Sequence, residues 1–247
     1  MRILYITIIF LLCFSSGFSQ IEQAVINYGV KFSNNKKDSL NKKNSLAYEK
    51  FNKIVKQAEN IEMELIYKNG SSSFENAKAM YVDDNQNLLM KLAILFSKLR
   101  GNYYAKVKDK NVILEKEFNG TNYLILSNFN KYQWKLGTDV RKISGFSCYK
   151  ATTIKTYISR KGNIVEVPIT AWYTPEIPIA LGPKDYVGLP GLILSISEGK
   201  ITYYATKIDL KANKVNVQFP KKGIKITEKE FEKLTDGTTK AWIKERQ

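Results

Sequence analysis

The sequence contains no histidine. Nucleophilic systems of the Ser-His-Asp and Cys-His kinds are therefore excluded. So are HExxH zinc sites and iron sites built from two histidines and a carboxylate. Cysteine is almost as scarce, with Cys13 and Cys148 alone, so no four-cysteine metal site can form. Arginine occurs only as Arg2, Arg100, Arg141, Arg160 and Arg246. No glycine-rich phosphate loop is present: Gly188 and Gly191 are too close together, and no Gly-Lys-Ser/Thr follows them. Proline is sparse, while 44% of residues are hydrophobic and 12% aromatic, a globular rather than a disordered composition.

The chain also lacks a long apolar run. Ile3 to Phe14 is its longest, too short for the roughly 20 residues of a spanning helix. With Arg2 before it and the small residues Gly17 and Ser19 after it, this segment reads as a secretory signal peptide, residues 1–19, cut before Gln20. Leu12 ahead of Cys13 argues against lipid attachment, which takes a small residue there. Residues 20–247 then form one domain large enough to bury a core. Cys148 is the only cysteine left after export, so it has no disulfide partner within the chain. It is either a buried small hydrophobe or a reactive thiol.

The formal net charge is +16. A basic chain raises the question of nucleic acid, but the positive charge is nearly all lysine and is dispersed. Arginine is the residue suited to bidentate phosphate and guanine contacts. Together with the export signal, this points away from nucleic acid. A solvated lysine-rich surface is the expectation, with attraction to an anionic envelope surface such as lipopolysaccharide as the interaction it favours.

Local patterns give a coarse fold. Ile21 to Phe32 alternates like a strand, and Leu46 to Glu59 has the spacing of an amphipathic helix. Asn69-Gly70 and Asn119-Gly120 mark hairpin turns. Asn87 to Leu99 reads as a second helix, with Gly101 as its C-cap. Asp83-Asp84 precedes it as a helix entry rather than a calcium loop, lacking the glycine and distant glutamate that such a loop needs. Strands are expected over Lys131–Lys135, Arg141–Ile143, Phe146–Ser159, Asn163–Tyr173, Leu192–Ser197, Thr202–Asp209 and Val215–Phe219. Thr227 and Glu230 form a capping box for a C-terminal helix interrupted at Gly237. The expected fold is α+β: a large curved antiparallel β-sheet, half-barrel-like, with two or three amphipathic helices.

The most distinctive stretch begins at Ile143-x-Gly145-Phe146-x-Cys148-Tyr149-Lys150-Ala151. It continues with Ala171-Trp172-Tyr173-Thr174-Pro175-Glu176-Ile177-Pro178, Gly182-Pro183 and Tyr186, and ends in Gly188-Leu189-Pro190-Gly191-Leu192-Ile193. This ordered series resembles the GLPGLI family of Bacteroidetes envelope proteins, which has no assigned activity. The resemblance implies an envelope location beside outer-membrane uptake machinery. Turn chemistry accounts for the same residues: Pro190 and Gly191 suit the two central positions of a type II turn, with Leu189 and Leu192 as core anchors. A binding role is the competing reading, in which the corner, with Trp172, Tyr173 and Tyr186, rims a ligand surface. The expected function is that of a non-catalytic periplasmic or outer-membrane-associated module binding a hydrophobic ligand or a protein partner. It needs neither metal nor cofactor and does not span the membrane. The alternatives are an enzyme using carboxylates or Lys and Tyr as acid and base, and a lysine-rich adhesion protein.

Overall fold

The computed structural model describes residues 21–33, 46–77, 84–159 and 163–244. Strand β1 (Gln23–Phe32) leads to helix α1 (Leu46–Ala58), then to β2 (Glu62–Lys68) and β3 (Ser71–Asn76). Helix α2 (Asp84–Phe96) precedes β4 (Asn102–Lys106), β5 (Asn111–Phe118) and β6 (Thr121–Asn128). A 3₁₀ turn (Phe129–Lys131) leads into β7 (Lys135–Ile143), β8 (Phe146–Ile158) and β9 (Ile164–Thr174). The chain ends with β10 (Leu192–Glu198), β11 (Ile201–Asp209), β12 (Ile224–Thr227) and α3 (Glu228–Lys244).

All 12 strands lie in one open sheet, in the order β12-β6-β5-β4-β3-β2-β1-β11-β10-β9-β8-β7. Every pairing is antiparallel except β12 with β6. Strand alternation gives the sheet two unlike faces. Ile26, Tyr28, Leu65, Phe74, Tyr103, Ile125, Ala171, Ile196 and Tyr203 are buried on the inner face. Helices α1 and α2 pack there edge to face through Phe51 and Phe96, with Phe51 also against Phe32 of β1. Helix α3 covers the β6 side, where Phe231 contacts Phe118 and Tyr123. The 175–191 connection fills the remainder: Ile177, Ile179, Leu181, Tyr186, Val187 and Leu189 are all buried.

Several expectations change. Val215–Phe219 is not a strand. It crosses the outer face, where Phe219 rests on Tyr104, so that the chain can travel from β11 to the far edge and pair β12 in parallel with β6. Of the expected strand Lys131–Lys135 only Lys135 is in a strand, the first residue of β7, because Asn128 caps the 3₁₀ turn that ends at Lys131 by accepting from the Asn130 N–H at 2.9 Å. Helix α2 ends at Phe96, and the left-handed residue that caps it is not Gly101 but Lys98, whose φ is +53°. The Leu99 N–H reaches the Ile94 carbonyl and the Lys98 N–H the Leu95 carbonyl, the paired bonds of a Schellman cap. Gly101 serves a close approach instead, since a Cβ there would lie 2.3 Å from the Glu115 carbonyl oxygen. The Thr227–Glu230 capping box forms as expected, and α3 continues through Gly237. The residues read as a signal peptide, the Lys161-Gly162 turn and Asp83 lie outside the described residues.

Candidate functional site

A cluster of charges sits on the inner face. Glu198 ends β10 as its one charged residue, and its side chain is 2% exposed. Its Oε2 accepts from Lys184 Nζ at 2.8 Å, and its Oε1 accepts from Lys98 Nζ at 2.9 Å. Lys184 is itself 3% exposed and reaches Tyr203 Oη at 3.4 Å. The Tyr203 hydroxyl in turn donates to the Ser97 carbonyl at 2.7 Å. Next to Lys184, Asp185 accepts through Oδ2 from Lys131 Nζ and, at 3.1 Å, from the Tyr132 hydroxyl. Lys131 also binds Glu228 at the start of α3. Lys155 of β8 faces Glu198 at 3.7 Å.

The backbone is bent to make this possible. Lys184 has φ +60° in a turn closed by the Tyr186 N–H on the Pro183 carbonyl. Lys98 is likewise left-handed. Glycine or asparagine is the ordinary occupant of such positions. Here two lysines occupy them, and both deliver their ammonium groups to Glu198.

The charges fix one another's protonation. Burial alone would raise the Asp185 carboxyl, but Lys131, Lys184 and Lys155 outweigh it and hold it at about 2. Glu198 is also pushed up by burial, and Lys184 and Lys155 pull it well below the usual carboxylate range. Burial pushes the Tyr203 hydroxyl up to about 12 despite Lys184. Tyr132 and Tyr186 are raised as well, by burial first and then by the surrounding negative charge. The folded value of Asp185 lies below the unfolded one of ~3.9. Its stabilisation is therefore complete above ~pH 4 and is lost as pH falls through about 2, with Glu198 adding in the same direction. The full loss from Asp185, roughly 2.5 kcal/mol, is reached only below pH 2, and urea midpoints at pH 5, 3.5 and 2.5 should show roughly 1.5–2 kcal/mol of it by the lowest pH. A midpoint flat across that range would contradict the ion pairing.

Two clefts open from this cluster. The larger, of about 460 Å³, lies between β5, β6, β8 and α3. Leu114, Ile125 and Phe231 give it an apolar lining, and Lys116, Lys131 and Lys155 supply positive charge. It adjoins a polar chamber of about 180 Å³ that reaches Lys98, Tyr103, Ser127, Lys184 and Asp185. Leu114, Lys131, Lys155 and Glu228 line both. A separate cleft of about 470 Å³ borders the corner, between Trp134, Leu136 and Gly188-Leu189-Pro190.

The residues singled out in the sequence divide among these places. Tyr186 is fully buried and stacks on Tyr132, ring centroids 5.0 Å apart. Tyr173 is buried beside Tyr149. Gly182 packs on Ile193, where a Cβ would come within 2.8 Å, and Pro183 opens the Lys184 turn. Leu192 and Ile193 are buried in β10, and Leu189 is buried below the corner cleft, whose rim carries the exposed Gly188 and Pro190. Trp172 stands apart: strand alternation puts it on the outer face, under the Arg141 guanidinium at 4.0 Å. Cys148 is fully buried, paired across strands with Arg141, and burial pushes its thiol up to about 11. This is the inert state of a buried cysteine. The corner is not a hydrogen-bonded type II turn. The Gly191 N–H bonds the Leu189 carbonyl at 2.8 Å, a three-residue turn about Pro190, while the Leu192 N–H goes to Ile177.

Sequence reading missed Lys98, Lys131, Lys155, Lys184, Asp185 and Glu198. One signal was available: Lys184-Asp185 are charges set within the largely apolar stretch from Ile177 to Ile196, and Glu198 follows it two residues on. Among the described residues, no group of three or more Cys, Asp or Glu side chains could hold a metal ion. No helix among them is long and apolar enough to cross a membrane.

Residues 159–195 match a family model described as "Protein of unknown function (Porph_ging)". The matched interval contains the whole 175–191 connection with Lys184 and Asp185, but not Glu198, Lys131 or Lys155. No curated protein matches the sequence. In fold, the chain is similar to two solved structures of PNGF-II, in P21 and C2 space groups, with TM-scores of 0.52 and 0.51 over 86% of this chain. Sequence identity to them is 16% and 15%, so the likeness concerns the fold alone. The chain spans about a third of the length of those structures, 33% and 32%.

Proposed function

We propose that the protein is an exported, non-catalytic binding module of the cell envelope that holds a ligand with an apolar body in the inner-face cleft beside α3. The observation that carries this reading is a cleft of about 460 Å³ with apolar side chains on part of its wall and charged groups on the rest, placed on the inner face of an open sheet. Small-molecule sites are concave and combine apolar walls with placed polar groups. The export address rests on the N-terminal charge, apolar core and small-residue cut site. The protonation pattern supports binding over acid–base catalysis. Asp185 and Glu198 are held ionised and the tyrosines around them held protonated, so neither kind is poised to exchange a proton near neutrality. Native mass spectrometry of the protein purified gently from its own envelope tests the reading. One retained small molecule per chain is expected, and a bare mass under conditions that preserve non-covalent complexes would count against it.

One observation favours a second reading, a protein partner at the corner. The cleft beside Gly188 and Pro190 is about 470 Å³, and Leu136 in its lining belongs to β7, an edge strand exposed along most of its length. An outer-membrane protein is the partner class that the export address favours. Retention of such a protein instead of a small molecule would move the site to the corner.

A further inference from the structure

The cluster beside the apolar cleft carries one more positive than negative charge: Lys98, Lys131, Lys155 and Lys184 against Asp185, Glu198 and Glu228. The partners are unequally shared. Lys98 and Lys184 each take one oxygen of Glu198, at 2.9 and 2.8 Å. Lys131 takes Asp185 and Glu228. Lys155 is left with Glu198 Oε1 at 3.7 Å, an oxygen that already accepts from Lys98. It is nevertheless pulled from solvent, with its side chain 31% exposed, and it stands where the apolar cleft meets the polar chamber. An ammonium group this poorly matched costs desolvation energy without a full ion pair in return.

Resting on the cleft reading above, we infer that the ligand is an anionic amphiphile. Its apolar chain lies against Leu114, Ile125 and Phe231, and its single acidic head group, a phosphate or a carboxylate, enters the polar chamber and pairs with Lys155. The placement follows from which residues line what. The larger cleft sets Leu114, Ile125, Ile154 and Phe231 beside Lys116, Lys131, Lys155, Thr156 and the acidic start of α3, and the smaller chamber shares Lys131 and Lys155 with it. A neutral ligand would leave the excess positive charge uncompensated, whereas an anionic head group offsets it. Burial lowers the Lys155 pKa, with Lys184 and Lys131 adding to the effect and Asp185 and Glu198 only partly offsetting it, as expected of a cation that lacks its own anion. Lys155 is the discriminating residue because the other three lysines are engaged in holding the fold.

Calorimetric titration of the purified protein at pH 7, below micelle concentrations, separates the possibilities. The probes are decyl phosphate, its uncharged dimethyl ester and inorganic phosphate. The acid is expected to bind roughly 10- to 100-fold more tightly than the ester, the range of one charge-assisted contact, and inorganic phosphate more weakly than either. Lys155→Met should erase the preference for the acid while the folded protein still binds the ester. Lys155→Arg should keep the preference. Equal affinity for acid and ester would overturn the inference and leave the cleft reading standing. Binding of neither would overturn that reading and the inference with it. Inorganic phosphate binding as tightly as decyl phosphate would replace the amphiphile with a free anion. A preference that survives Lys155→Met would remove the role given to that residue.

Discussion

Glu198→Gln is expected to destabilise the protein by about 3–5 kcal/mol, the cost of breaking a buried ion pair from one side. At ~2–4 °C per kcal/mol for a chain of this size, the melting temperature should fall by roughly 6–20 °C. Glu198 is the carboxylate that joins Lys98, Lys184 and Lys155. Glutamine keeps the shape and one acceptor but removes the charge, which leaves Lys184 ionised, 3% exposed and close to two other cations. Lys98 and Lys155 can lean toward water; Lys184 cannot. The double variant Glu198→Leu with Lys184→Met removes both buried charges and should recover most of the loss, as apolar replacements of buried pairs do. If the double variant is no more stable than Glu198→Gln, the penalty does not come from the stranded lysine.

Gly191→Ala is expected to cost about 4 kcal/mol or more, combining strain at a glycine-only backbone conformation with a steric clash. Gly191 has φ +149°, and a Cβ there would sit 2.1 Å from the Thr174 carbonyl oxygen and 2.6 Å from its carbon. Thr174 cannot easily retreat, because it is fully buried and paired with Leu192 at the end of β9. Gly188→Ala is the control. Its φ of +87° is also left-handed, but it is exposed and its Cβ would meet a single backbone oxygen, that of Phe129, at 3.0 Å. A loss nearer 1–2 kcal/mol is expected there. Thermal melts of the two variants give the comparison, and equal losses would show that conformation rather than close approach sets the requirement at Gly191.

Much of the sheet was readable because its signals are local. Asn69-Gly70 and Asn119-Gly120 both adopt positive φ at each residue, the conformation such hairpins need. Thr227 and Glu230 lie within one helical turn, so their mutual cap needs no tertiary help. The failures share a different origin. Val215, Val217 and Phe219 alternate like a strand, but Phe219 is held by Tyr104, far away in sequence. Gly101 looks like a helix cap because glycine usually is one; the cap falls on Lys98, whose side chain is needed at Glu198.

The site was less legible for the same reason. Its charges come from the cap that follows α2, the 3₁₀ turn, β8, the 175–191 connection, β10 and α3, and only the order of strands in the sheet brings them together. The corner hexapeptide was visible, but its chemistry is mostly that of packing: Gly191 permits a close backbone approach, and Leu189, Leu192 and Ile193 fill the core. Trp172, an obvious aromatic candidate, is on the opposite face from Tyr186 because strand alternation put it there.

The most direct measurement is methyl NMR of the protein titrated with decyl phosphate. Saturable shifts at the Leu114 and Ile125 methyls, with Leu136 and Leu189 unmoved, are expected of a ligand seated beside α3. Shifts confined to Leu136 and Leu189, or no shift at any of the four, would contradict a ligand site beside α3.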